Sequence, residues 1–302
     1  MSTPRVAVVI GLLLAGGGSL RARQTPTPGP GDQMRLGMTT SVIENVSAAD
    51  ARASAVLWAE SIATAVGLYH SVEGAVFTTV DDAVRAVNEG RTDILVLSSS
   101  EYLDAEKRFA CRPPMAYEIM GEVTQDYVLV ARRGRPPVVP ATSSIAIYVQ
   151  NPKAALAQVW ADTYFHDTGV ARGLNAFASV KPLDRKGRPT MAVFFGQADY
   201  AVDTRSAFAS TVELNPQVGR TLEVLARSEP LLPGLVCLSD RMAPDLRRRY
   251  IEAAARMHDQ ARYRQSMIVM RVSRIVPWEA RFLDTTRALL ARHAALTARG
   301  GK

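Results

Sequence analysis

Hydrophobic and polar positions along this chain switch between a period of two and a helical period. From Met34 the run MRLGMTT is short, apolar and closed by two threonines. Ala49 to Val66 follows with Ala55, Trp58, Ile62 and Ala65 at helical spacing, so the pattern predicts a strand and then a helix. GAVFTT predicts a second strand. After it Thr79 stands at a helix N-cap position, Asp81 and Asp82 occupy the first turn, Val84 and Val87 share a face, and Gly90 falls where a helix C-terminus favours glycine. DILVLSSS predicts a third strand, continuously apolar as a strand covered on both faces is. Residues 34–100 therefore read as β-α-β-α-β, and right-handed crossovers make the strands parallel.

Further on, DYVLVARRG predicts a strand, and the proline-rich loop from Arg132 to Pro140 marks a boundary before SSIAIYV opens a new α/β unit. Pro152 suits the first turn of a helix running to about His166, and QADYAVDT reads as a strand followed by a short helix. TLEVLARSEPLLPGLVCLS gives two apolar strands around a break. Pro244 to Met257 reads as a helix with Asp245 early and Arg256 late, matching the helix dipole. SMIVMRV is a core strand or helix, and RHAALTARGGK is a basic, frayed end. No internal repeat is present.

The first residues admit two readings. Val6 to Leu14 followed by three glycines resembles a strand entering a phosphate loop, but Pro26, Pro28 and Pro30 forbid the helix whose N-terminus would hold the phosphate. The alternative takes Arg5 as a basic n-region, Val6 to Leu14 as an apolar h-region and residues 1–22 as a signal peptide. Residues 23–33 then form a flexible Pro/Gly linker. An apolar run this short falls below the roughly 20 residues a membrane span needs. Cys111 and Cys237 are an even pair, which an oxidising compartment would bridge and a reducing one would leave as two small buried residues.

With 302 residues, 47% of them hydrophobic and 22% charged, the chain can bury one large core or two smaller ones. A formal charge of +7 would suit an acidic partner, but the arginines are spread out and no aromatic-and-basic module accompanies them, so nucleic acid is not an expected partner. The four histidines are scattered without metal-ligand spacing, and there is no Gly-x-Ser-x-Gly elbow or Walker loop, so neither a metal nor a cofactor is expected.

Several blocks together resemble the substrate-binding proteins of phosphate/phosphonate-type ABC transporters: RLGMTT, AVNEGRTDILVLSSSEYL, DYVLVARRG, GQADYAVDT, VLARSEPLLPGLVCLSDRMAPDLRRR and RIVPWEARFLDTTRALL, in that order. The resemblance covers nearly the whole chain after the first thirty residues. It implies an α/β, two-lobed type 2 periplasmic-binding-protein fold, with lobe I at residues 34–130 and 228–302 and lobe II at 131–227. A ligand would sit in the cleft between them, and the expected protein is a monomer.

In open α/β sheets ligands sit beyond the carboxyl ends of parallel strands, where Thr39, Thr40, Ser98, Ser99 and Ser100 fall. These, with Tyr102 and Tyr148, are the candidate ligand contacts; the serines also suit the cap of a helix expected over Glu101 to Arg108. Members of the family follow the strand matching SIAIYV with a Ser/Thr-rich turn. This chain reads YVQNPKAAL, leaving Gln150 and Asn151 as donors while Pro152 removes an amide, which weakens the expectation of a phosphonate. Asp199 matches a position where relatives meet an amine or hydroxyl, and Asp203 lies near it; the alternative is that Asp203 caps the next helix and Asp199 bonds to backbone. The implied function is an exported, periplasmic solute-binding protein that captures an oxyanion-bearing or zwitterionic ligand for an ABC permease. The competing readings are a sensor feeding a membrane histidine kinase, and an enzyme of the same fold, which would need Cys111 or Cys237 as a reactive thiol. Mass spectrometry of the mature protein is expected to find an N-terminus between Gly18 and Arg23; an intact Met1 in the soluble fraction would overturn export.

Overall fold

The computed structural model describes residues 33–43, 47–66, 71–119, 121–135, 141–149, 155–261, 264–269 and 272–300. The signal-peptide segment expected over 1–22 lies outside them, as do Gln150, Asn151 and Pro152. Three parallel strands begin the first sheet: β1 (Gln33–Thr39), β2 (Ser71–Phe77) and β3 (Ile94–Ser98), connected through α1 (Ala48–Val66) and α2 (Val80–Asn88). At the start of α2 the Thr79 hydroxyl accepts the Asp82 amide at 3.2 Å. Its far end closes through Gly90 at φ 73°, whose amide donates to Val87 while that of Arg91 donates to Ala86, a pairing that needs the left-handed residue. Then α3 (Ser99–Ala105) leads into β4 (Cys111–Glu118).

The chain crosses to a second sheet made of β5 (Tyr127–Arg132), β6 (Ser144–Tyr148), β7 (Ser179–Leu183), β8 (Tyr200–Thr204) and β9 (Leu222–Arg227), in the spatial order β7-β6-β8-β5-β9. Its helices are α4 (Leu156–Asp167), α5 (Arg188–Phe194), α6 (Arg205–Leu214) and α7 (Pro216–Thr221). The chain then returns. β10 (Gly234–Ser239), buried throughout, inserts between β3 and β4 and runs antiparallel to both. α8 (Pro244–Ala255), α9 (Arg264–Val269), the edge strand β11 (Arg274–Pro277) and α10 (Asp284–Gly300) complete the fold. The first sheet has the order β11-β4-β10-β3-β1-β2. Both sheets carry apolar clusters on both faces, which is why β3 and β10 read as unbroken hydrophobic runs.

The lobe boundaries differ from the expected ones in two places. β5, expected in lobe I, belongs to the second sheet, because the chain crosses before it: Gln125 and Leu231 exchange backbone hydrogen bonds of 2.8 Å at the crossing. A strand-like run does not reveal which sheet it will pair with. α10, also expected in lobe I, packs Leu289 and Leu290 against the second lobe's core, donates from Arg292 to Asp167 at 2.6 Å, and brings His293 within 3.0 Å of Asp162. It starts against the first lobe, where Arg287 pairs with Glu106 at 2.6 Å, and so straps the two lobes together.

The crossing is fixed by charge. Asp126 is 4% exposed and accepts from Arg205 at 3.0 Å and from Arg227, and Arg205 also pairs with Glu122. Asp126→Asn removes the charge that both guanidiniums share while keeping the shape. It is expected to cost about 2 kcal/mol, as for hydrogen bonds to charged groups, and to lower the urea midpoint at unchanged slope. An unchanged midpoint would show that the arginines recover all of this from water.

Candidate functional site

β1 and β3 are neighbours, so Thr39 and Ser98, the last residue of each, meet at the carboxyl edge of the first sheet. Both are buried, and both turn toward a carboxylate that the sequence reading passed over, that of Glu101. One of its oxygens accepts from the Thr39 hydroxyl at 2.7 Å, from the Ser98 amide at 3.1 Å and hydroxyl at 3.0 Å, and from the Ser41 hydroxyl. Ser98 in turn accepts the Glu101 amide at 3.3 Å. This is a reciprocal capping box, and α3 therefore begins at Ser99 rather than at Glu101. Ser100 stays close by, its hydroxyl 3.1 Å from that of Ser98.

Ser41 and Ser98 line a cavity of about 20 Å³ between the lobes, room for about one water. Gln125 and Tyr127 close it at the crossing, and Tyr148 and Leu156 close it from the second lobe. Gln125 donates to the Tyr127 hydroxyl at 2.7 Å, and the Tyr127 ring stacks on Trp160 with centroids 6.5 Å apart. The ammonium of Lys186, in the turn after β7, lies 5.7 Å from the Tyr148 ring centroid. The structure thus brings together Thr39, Ser98, Ser100 and Tyr148 of the expected contacts, with Thr40 in the same turn as Ser41.

It separates the others. Ser99 is fully buried and donates to the Leu232 carbonyl, tying α3 to the return crossing. Tyr102 shares a face of α3 with Ala105 and packs edge-on against Phe109 at 6.0 Å within the first lobe's core. Asp199 precedes β8 and sits at the amino edge of the sheet, opposite the cleft. It accepts from the Ser144 amide at 2.8 Å and from Arg135. Burial works against its charge, yet the Ser144 donors and the Arg135 guanidinium outweigh that and hold the carboxyl below its usual range. Asp203 is wholly buried and accepts from the Gly187 amide at 2.9 Å, the Thr190 hydroxyl at 2.9 Å and the Thr204 amide at 3.0 Å. Burial raises its pKa even against those donors. It anchors the start of α5, while Thr204 itself caps α6 by accepting the Ala207 amide. Cys111 and Cys237 are buried free thiols, with the Cys237 pKa pushed up by burial first and by Cys111 second. Neither lines the cleft.

A larger cavity of about 310 Å³ lies between α3, β4, β11 and α10, lined by Tyr102, Arg112, Trp278, Glu106 and Arg287. Its size does not make it the site. Arg287 and Glu106 satisfy each other there, and the convergence of hydroxyls from separate strands is at the smaller one. Among the described residues no group of His, Cys, Asp and Glu assembles that could hold a metal ion, and no helix is long and apolar enough to cross a membrane.

A family model described as ABC transporter, phosphonate, periplasmic substrate-binding protein matches residues 41–281. The chain belongs to this family. It is a family of transport binding proteins rather than of enzymes. Among solved structures the binding protein is similar to a Xanthomonas citri protein bound to ATP, at 13% identity and a TM-score of 0.60 over 88% of this chain and 98% of that one. It is similar to a binding component of an ABC phosphonate transporter from Pseudomonas aeruginosa, at 12% identity and a TM-score of 0.59 over 89% and 88%. A phosphonate-binding protein of Prochlorococcus marinus in complex with methylphosphonate gives 10% identity and a TM-score of 0.60 over 86% and 98%. At such identities the likeness establishes the two-lobed type 2 fold and nothing about the ligand. A search of the curated proteins gives no match.

Burial, helped by Cys237 and Glu106 and opposed by Arg287, pushes the Tyr102 phenol from 10.0 up to about 12. Below pH 10 the phenol is neutral in both the folded and unfolded states. Between pH 10 and about 12 the unfolded chain ionises while the native one does not, so this group's contribution to stability falls as pH rises. Tyr102→Phe is expected to flatten the loss of stability between about pH 10 and about pH 12, measured by denaturant titration; an unchanged alkaline slope would mean the phenol ionises normally.

Proposed function

We propose that this protein is exported, captures a small polar ligand bearing an oxyanion or a zwitterionic charge between its two lobes, and delivers it to an ABC permease. The observation that carries the reading is the meeting of polar side chains from both lobes at one cavity on the strand ends: Ser41 and Ser98 from one side, Tyr148 from the other, and Gln125 and Tyr127 at the crossing. Such groups bind by hydrogen bonds that gain weight as closure removes water. A ligand that bonds to both lobes at once favours the closed state by its differential affinity for it. Lys186 beside Tyr148 supplies positive charge on the second-lobe side for an oxyanion.

A thermal-shift screen over phosphate, phosphite, alkylphosphonates, sulfonates, amino acids and polyamines tests this. A true ligand at about 100 times its dissociation constant adds roughly 2.7 kcal/mol of stability, a displacement of several degrees for a lobe of this size. At least one oxyanion or zwitterion is expected to give that shift with saturation. No shift across the whole panel would sink the capture reading and leave the fold and family standing.

A further inference from the structure

We infer that Glu101 sets the polarity of the cleft, so that its first-lobe wall accepts hydrogen bonds and selects ligands carrying an ammonium or other cationic donor over otherwise matched simple anions. This deepens the capture reading above and rests on it. The argument is a count of protons. Thr39, Ser41 and Ser98 each own one hydroxyl proton, and each is within reach of the same Glu101 oxygen, which also takes the Ser98 amide. A hydroxyl whose proton is spent on a carboxylate offers only lone pairs in other directions. The wall that looked from sequence like a row of donors is therefore a row of acceptors backed by a negative charge.

Three further observations agree. The second oxygen of Glu101 has no hydrogen-bond partner among the described residues, and the side chain keeps partial exposure. Among the described residues no arginine or lysine is paired with Glu101, although many of the other acids are paired. The capping box holds the carboxylate in place, so turning it away would also unmake the start of α3. An oxyanion brought against this wall meets like charge and no free proton from Thr39, Ser41 or Ser98, and the penalty grows as closure lowers the local dielectric. An ammonium meets lone pairs and opposite charge.

Glu101 acts here through the hydroxyls, as a positioning residue, and Glu101→Gln isolates that role. Glutamine preserves the capping box through its amide oxygen, while it removes the negative charge and puts an amide donor where the second carboxylate oxygen stood. Isothermal titration would use matched pairs that differ only in the ammonium group: taurine and ethanesulfonate, 2-aminoethylphosphonate and ethylphosphonate, β-alanine and propionate. The wild type is expected to bind the ammonium member of at least one pair tenfold or more tightly than its partner. In Glu101→Gln that ratio is expected to fall tenfold or reverse, with the ligand-free melting point within a few degrees of wild type. A wild-type ratio at or below one overturns the inference while leaving capture intact, since the ammonium-free member still binds. An unchanged ratio in a folded Glu101→Gln protein overturns it as well. If that variant does not fold, the wild-type ratio and its loss in Ser41→Ala decide the matter, because Ser41 lines the cavity without belonging to the capping box.

Discussion

The cleft exists because two chain crossings are held side by side, and the group that holds them is Asp126. Its carboxylate, almost wholly removed from water, is shared by Arg205 at the start of α6 and Arg227 at the end of β9. Next to it Gln125 and Leu231 exchange backbone hydrogen bonds, and Ser228 accepts the Tyr127 amide at 2.8 Å. Two short antiparallel segments fixed in this way can bend together while neither slides, the behaviour hinge closure requires. The cleft residues Gln125, Tyr127 and Pro233 belong to these same segments. α10 adds a second tie, running from Glu106 in the first lobe to Asp162 and Asp167 in the second. Any opening must therefore be accommodated by the pairing of Arg287 as well as by the crossing.

The first half of the fold was legible because each local signal agreed with the next. β1, α1, β2, α2 and β3 all appear where periodicity, the Thr79 cap and Gly90 placed them. β4 was not legible, and its registers show why: Val236 faces Met115 while Leu238 faces Arg112, so Pro113 and Pro114 sit in a bulge where the lost amides do least harm. β7 was hidden by Pro182 and by its place at the edge of the second sheet. The site residues divide along similar lines. Thr39 and Ser98 end their strands, and that position alone brought them to the cleft. Asp199 precedes its strand, which puts it on the opposite edge. Tyr102 lies three residues before Ala105, the spacing of a helix face turned to the core, and its ring meets Phe109 beyond the end of α3. Glu101 was legible in principle, since Ser98-x-x-Glu101 is a capping-box pattern. What the sequence did not show was that Thr39 and Ser41 would reach the same oxygen from the end of β1 and the turn after it, 62 and 60 residues earlier.

Family membership settles the architecture, but the ligand is decided by a few side chains at the strand ends. Two departures at those positions run the same way. In the sequence, Gln150-Asn151-Pro152 follows Tyr148 where the family resemblance leads one to expect hydroxyls. In the first lobe, hydroxyls are present but their protons are committed to Glu101. The second commits donors of the proposed first-lobe wall and adds a negative charge. Closure then amplifies the difference, because expelling water raises the cost of like charges and the gain from opposite ones together. On the proposed reading, the hinge that Asp126 holds closes readily on a ligand that brings positive charge to Glu101, and poorly on one that brings only negative charge. On the inference proposed for Glu101, the sign of one carboxylate couples ligand choice to lobe closure.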